Sequence, residues 1–150
     1  MSSKSVHTAA GLLLGGIMAT AVQDEPLRML QFMVASLMGA SAPDWLEIAR
    51  FRTTWFGWGP RVRESVIPHR TFTHTFSLWV LAILGTATMA LRTDQVVWEF
   101  AFAFCLSAFG HLVLDIRTPM GIPLWPFGRR YRWYRGGLVP SRHIEKRSGW

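Results

Sequence analysis

The residues able to do metal or acid–base chemistry are few, and they recur at the ends of apolar runs. His7 opens the first run, Asp44 follows Pro43 at the end of the second, His69 and His74 precede the third, and His111 and Asp115 close the fourth. His111-x-x-x-Asp115 places an imidazole and a carboxylate four residues apart, so on a helix they share one face with Cβ atoms about 5–6 Å apart. Neutral imidazole and carboxylate are the usual donors for zinc, and the same set accepts manganese or iron. His69 and His74 are five apart, which suits no single helical face, but Pro68 and the start of a helix leave His69 able to curl back. Asp44 and Glu47 are the candidate general bases, and Arg70 is the candidate holder of a substrate anion. Plainer readings stand beside these. Asp44 can simply end a helix, Arg70 can be a snorkelling lipid anchor, and His111 with Asp115 can be a structural hydrogen-bonded pair. His143, out in the tail, is read as solvated.

Positioning such residues falls to helices that cross a membrane. Half of the 150 residues are hydrophobic and 13% are aromatic, and the apolar residues gather into runs that approach the ~20 residues needed to span a bilayer as helix. The expected fold is an all-α polytopic membrane protein of one domain, residues 1–150, with four transmembrane helices at about 6–22, 27–48, 75–91 and 96–116. Residues 50–68, where arginines alternate with Phe51, Trp55, Phe56 and Trp58, form an interfacial segment between helices two and three, and the basic stretch 117–150 is an interfacial tail. The first run is long for a signal peptide and has no persuasive cleavage site, so it is read as a helix. Gly11 and Gly15, and Ala35, Gly39 and Ala42, offer small-residue faces for close helix contact. Such faces suit a homo-oligomer or a membrane complex as well as contacts within one chain.

Charge then fixes orientation. The net charge is +7, and the cations lie between and after the apolar runs. Lys4, the arginines of residues 50–70 and the basic tail fall on one side of a four-span topology, while Asp24, Glu25, Arg28, Arg92 and Asp94 occupy the other loops. The positive-inside rule therefore places both termini in the cytoplasm. Anionic lipid headgroups at that face account for the charge more simply than nucleic acid does. The rule uses only lysines and arginines, yet it brings His7, Asp44, His69, His74, His111 and Asp115 to the same membrane face. A lone cysteine, Cys105, excludes a disulfide framework or a cysteine zinc knuckle within one chain.

His7, Pro43-Asp44, His69-Arg70-x-x-Thr73-His74, Gly110-His111-x-x-x-Asp115 with Thr118-Pro119-x-Gly121, and Trp125-Pro126-Phe127 together resemble the YdjM family of LexA-regulated inner-membrane proteins predicted to be metal-dependent hydrolases. The resemblance covers almost the whole chain, and it extends more distantly to the zinc-dependent phospholipase C and P1 nuclease group. It implies a bacterial inner-membrane protein that hydrolyses phosphate esters at a metal cluster. The chain departs from the family's P-D-x-D pattern, with Leu46 at the second acidic position and Glu47 one residue later, and it has Thr71 where a glycine often follows His-Arg. No H-x-x-x-E pair follows His111, so one metal or two remain open. Two functions follow from this reading: a membrane-bound metallohydrolase of a phosphate ester or phospholipid-type substrate, or a noncatalytic scaffold or complex subunit with a structural His/Asp metal site.

Overall fold

Helices form where the apolar runs lie. The computed structural model describes residues 4–46, 49–53, 61–65, 72–119, 121–126 and 128–141, with 49–53 and 61–65 described by backbone alone. Helix α1 spans Lys4–Ala19 and continues as a 3-10 turn over Thr20–Val22; α2 spans Pro26–Trp45, α3 Phe76–Arg92 and α4 Val96–Asp115. Pro26 starts α2 at a position where its missing N–H costs nothing and its fixed φ suits the helix. Pro43 lies inside the last turn of α2 rather than beyond it, so the helix carries Asp44 on its final turn. The loop between α1 and α2 and that between α3 and α4 are as short as the sequence predicts, so successive helices run antiparallel and the paired ends meet.

Helix packing uses small residues, as in membrane bundles where close backbone approach replaces a hydrophobic driving force. A side chain at Gly11 would meet Ala40 and Ser36 of α2, and one at Gly15 would meet Met33 and Ser36. At Gly39 a Cβ would collide with the Phe104 backbone of α4, so α2 and α4 touch almost main chain to main chain. Helix α1 packs on α2 and α4, whereas α3 leans on α4. Ala42, Ala103, Ala108 and Leu112 are fully buried. At the far end from His111, Arg28 of α2 reaches Glu99 of α4 at 2.7 Å and Glu25 at 2.8 Å. That ion pair ties the starts of α2 and α4, and no spacing in the sequence announced it.

Two helical segments, Lys4–Val22 and Val96–Asp115, are long and apolar enough to cross a bilayer, and Phe76–Arg92 is apolar but shorter. The expected preponderance of helix is present, but the chain is not purely helical. Strands β1 (Ala49–Thr53) and β2 (Arg61–Ser65) pair antiparallel within the stretch expected to be interfacial, with Phe51 opposite Arg63. In the stretch expected to be a tail, β3 (Ile122–Pro123), β4 (Arg130–Tyr134) and β5 (Gly137–Pro140) make a three-stranded antiparallel sheet. The alternation of cations with aromatics that suggested a membrane interface is also the period-two pattern of a strand. Arg135 and Gly136 both hold positive φ, 48° and 83°, which is the two-residue turn whose twist suits a hairpin. The sheet is fastened to the bundle by backbone: Trp133 N–H donates to Ile116 O at 2.8 Å, and Ser77 N–H to Leu124 O at 3.1 Å. Ile122 is wholly buried.

Candidate metal centre

The helix ends that carry these histidines and aspartates meet at one end of the bundle. His111 and Asp115 lie one turn apart on α4, and His111 Nε2 stands 3.4 Å from Asp115 Oδ2. His7, in the first turns of α1, stacks its ring on that of His111 with centroids 3.8 Å apart and planes 17° from parallel, and its Nε2 lies 3.7 Å from Asp115 Oδ1. Asp44 arrives from the last turn of α2, its Oδ1 3.8 Å from His111 Nε2 and 3.4 Å from His74 Nε2. His74 comes from the turn before α3, with Nε2 3.9 Å from Asp115 Oδ2 and its ring edge-on to His111. The turn is held by Thr75 N–H donating to Phe72 O and by the Trp79 indole N–H donating to Thr73 O at 2.7 Å. Among the described residues, four elements thus contribute five side chains.

Burial separates them into two kinds. His74 and Asp115 are completely buried and His111 and His7 nearly so, while the Asp44 side chain is 48% exposed. Asp44 therefore marks the open side of the cluster. Buried charge is expensive unless it is paired or bound to a metal, and here a buried carboxylate and an exposed one face the same imidazoles.

The His111 ring shows what the cluster requires. Its Nδ1 lies 2.7 Å from Ala40 O; a carbonyl only accepts, so Nδ1 carries the hydrogen and the neutral ring presents a lone pair at Nε2. That nitrogen is buried and makes no hydrogen bond among the described residues. It faces oxygens of two carboxylates, which are acceptors as well. A proton or a metal ion among these atoms would satisfy the nitrogen. The separations of 3.4 and 3.8 Å exceed the range of an N–H···O bond, about 2.7–3.2 Å. They approach the corner-to-corner spacing of about 3.3–3.6 Å for donors about 2.0–2.2 Å from a tetrahedral zinc ion. His74 Nε2, His111 Nε2, Asp44 Oδ1 and Asp115 Oδ2 have four such edges, between 3.4 and 3.9 Å. The donor set fits a divalent ion. The Ala40 carbonyl, and Thr73 Oγ1 at 3.2 Å from His74 Nδ1, occupy the outer positions that orient ligating imidazoles.

Two triads share this space, His7 with His111 and Asp115, and Asp44 with His74 and His111, each with its donor atoms within 4.8 Å of one another. His111 has one lone pair to give, so it serves one ion. A second ion would have to share Asp115, whose Oδ1 faces His7 and whose Oδ2 faces His74 and His111.

Of the residues predicted from sequence, His7, Asp44, His74, His111 and Asp115 are brought together. His69, Arg70 and Glu47 lie outside the described residues, as does His143. The contribution of Ala40 was invisible in the sequence because it is a main-chain carbonyl, supplied by whichever residue the α2–α4 contact places there. No curated protein and no solved structure matches the chain significantly. The model of the YdjM inner membrane protein family, however, matches residues 1–144, a span that takes in all four helices, both sheets and every member of the cluster, and the chain accordingly belongs to that family of inner membrane proteins.

Proposed function

We propose that the chain is a membrane-bound metal-dependent hydrolase of a phosphate ester, with a phospholipid-type headgroup as the favoured substrate, acting at the cytoplasmic face of the inner membrane. The observation that carries this reading is the meeting of three buried histidines and a buried aspartate with one exposed carboxylate, Asp44, at the open side. All four helices cross the bilayer in this proposal. His7 begins α1, Asp44 ends α2, His74 precedes α3 and Asp115 ends α4, so alternating spans put the cluster at one face together with the chain's cationic segments and both termini.

His74, His111, Asp115 and Asp44 hold the ion, with His69 as a further ligand and His7 either steadying Asp115 or contributing to a second ion. Zinc suits the set best, and manganese or iron would be accepted. When bound, such an ion would lower the pKa of its water toward ~7 and polarise a phosphoryl oxygen. Asp44 faces solvent and is placed to accept a proton from the attacking water, with Glu47 as the alternative base. Arg70 holds the substrate's phosphate through a charge-assisted fork. Burial of His74, His111 and Asp115 fixes their donors before substrate arrives, so little reorganisation accompanies the reaction.

The deciding experiment is elemental mass spectrometry of detergent-purified protein, comparing wild type with His111→Ala and His69→Ala, followed by a screen of phosphodiesters and phospholipids. Stoichiometric metal in wild type that is lost in both variants, with turnover in the screen, is the expected result. Absence of metal after supplementation would sink the reading. A second reading has one observation in its favour: two histidines and two aspartates are enough to close a tetrahedral site, as structural zinc sites are closed. In that case the chain is a noncatalytic scaffold or complex subunit. Cobalt substitution separates the two, because added phosphate changes the visible spectrum of an open site and leaves a closed one unaltered.

A further inference from the structure

We propose that the β4–β5 hairpin is a binding site for the phosphate of an anionic membrane lipid, gripped by Arg132 and Arg135 and distinct from the metal centre. Side chains alternate across a strand, and here alternation sorts them by chemistry. One face carries Tyr131 and Trp133, opposite Pro140 and Leu138; the other carries Arg130, Arg132 and Tyr134, with Val139 opposite Arg132. The first face is apolar and wet, with Trp133 and Leu138 each about half exposed, at 49% and 47%. On the second, the Arg132 and Arg135 guanidinium carbons lie 5.2 and 5.4 Å from the centre of the same Tyr134 ring.

Two cations gathered on one ring repel each other. Among the described residues no carboxylate pairs with either. A phosphate between the two planar forks would relieve the repulsion and satisfy donors that match its geometry. The position on the molecule selects the source. Trp133 is hydrogen-bonded through its backbone to Ile116, the residue that follows α4, and α4 is a helical segment long and apolar enough to cross a bilayer. The hairpin is therefore anchored where a membrane helix ends, at the depth where tryptophan rings and headgroup phosphates sit. An exposed tryptophan and leucine on the reverse face fit the acyl boundary, a feature that a soluble phosphate or a nucleic acid would not call for.

The test uses full-length protein in detergent micelles, with phosphatidylglycerol or phosphatidylcholine added and bound lipid counted by native mass spectrometry. Wild type should prefer phosphatidylglycerol, and R132Q/R135Q should lose about 30-fold of that preference while keeping its bound metal. R132K/R135K, which keeps the charge but not the forks, should lose an intermediate share. Because wild type alone can be compared with the two lipids, a variant that fails to fold does not decide the matter. Equal binding of the two lipids by wild type overturns the proposal, as does full preference in a folded R132Q/R135Q. Displacement of the lipid by equimolar glycerophosphate or by duplex DNA would overturn it in favour of a soluble anion or nucleic acid. His111→Ala should leave the lipid preference intact, so failure of the metal reading and failure of this one are told apart.

Discussion

Residues in the cluster differ in how much each can lose. His111 sits at the centre, its Nε2 facing Asp44 and Asp115 and its Nδ1 fixed by Ala40 O. His111→Ala is expected to weaken metal binding by more than about 100-fold, beyond the loss typical of outer-shell partners, measured by competition with a chelating dye. Thr73→Val removes only the hydroxyl beside His74 Nδ1 and should cost about 10-fold in the same assay. Asp44 is exposed where the others are buried. Asp44→Asn, which removes the charge of one ligand and of the proposed base, should weaken metal binding by about 10-fold and, with metal restored to saturation, lower the rate of phosphate-ester hydrolysis by about 100-fold or more, whereas an unchanged rate at metal saturation would assign Asp44 to coordination alone. At this scale the sequence was informative in part. The His111–Asp115 spacing is set by the helix itself, so it was readable. The stacking of His7 on His111 joins residues from opposite ends of the chain, and no local spacing encodes it.

Elements come together through close backbone contact more than through large side chains. Gly39 lets α2 approach the Phe104 main chain of α4, and that approach brings Ala40 O to His111 and Asp44 to the cluster. Gly39→Leu must separate the helices. It should lower thermal stability by roughly 2 kcal/mol or more, as overpacking does, and should release metal although no ligand is altered; a metal-replete variant with an unchanged melting temperature would contradict this account. The small-residue faces around Gly11, Gly15, Gly39 and Ala42 were visible in the sequence, but which helix each would meet was not. The strands were missed because Arg50-Phe51-Arg52 and Arg130-Tyr131-Arg132 alternate as both an interfacial segment and a strand would. The difference lies in hydrogen-bonding partners, and those are many residues away.

For the whole molecule, metal and membrane should each leave a signature. Chelation is expected to lower the melting temperature, because an ion at 100 times its dissociation constant stabilises the folded state by about 2.7 kcal/mol, and restoring the metal should recover it. The proposed topology puts the loop between α3 and α4 on the side opposite the β3–β5 sheet. A cysteine at Thr93 should react with a membrane-impermeant maleimide in intact cells and one at Ser141 only after permeabilisation, with Cys105 buried and silent. The Arg28–Glu99 pair spans the starts of α2 and α4. Arg28→Gln and Glu99→Gln should each lower the melting temperature, and the double variant should add little to either, since both remove one interaction.

The sequence by itself determined the helices, their approximate ends, the helical pairing across short loops, and the placing of histidine and aspartate at the ends of apolar runs. These are local properties: apolar run length, proline and glycine placement, and i to i+4 spacing. Tertiary structure alone decided that His7, Asp44, His74, His111 and Asp115 share one cluster, that a main-chain carbonyl fixes the His111 tautomer, that Arg28 meets Glu99, and that the basic stretches fold into sheets with a two-faced hairpin. Each of these depends on contacts between segments distant in the chain, whose geometry follows from how closely small residues let the helices pack.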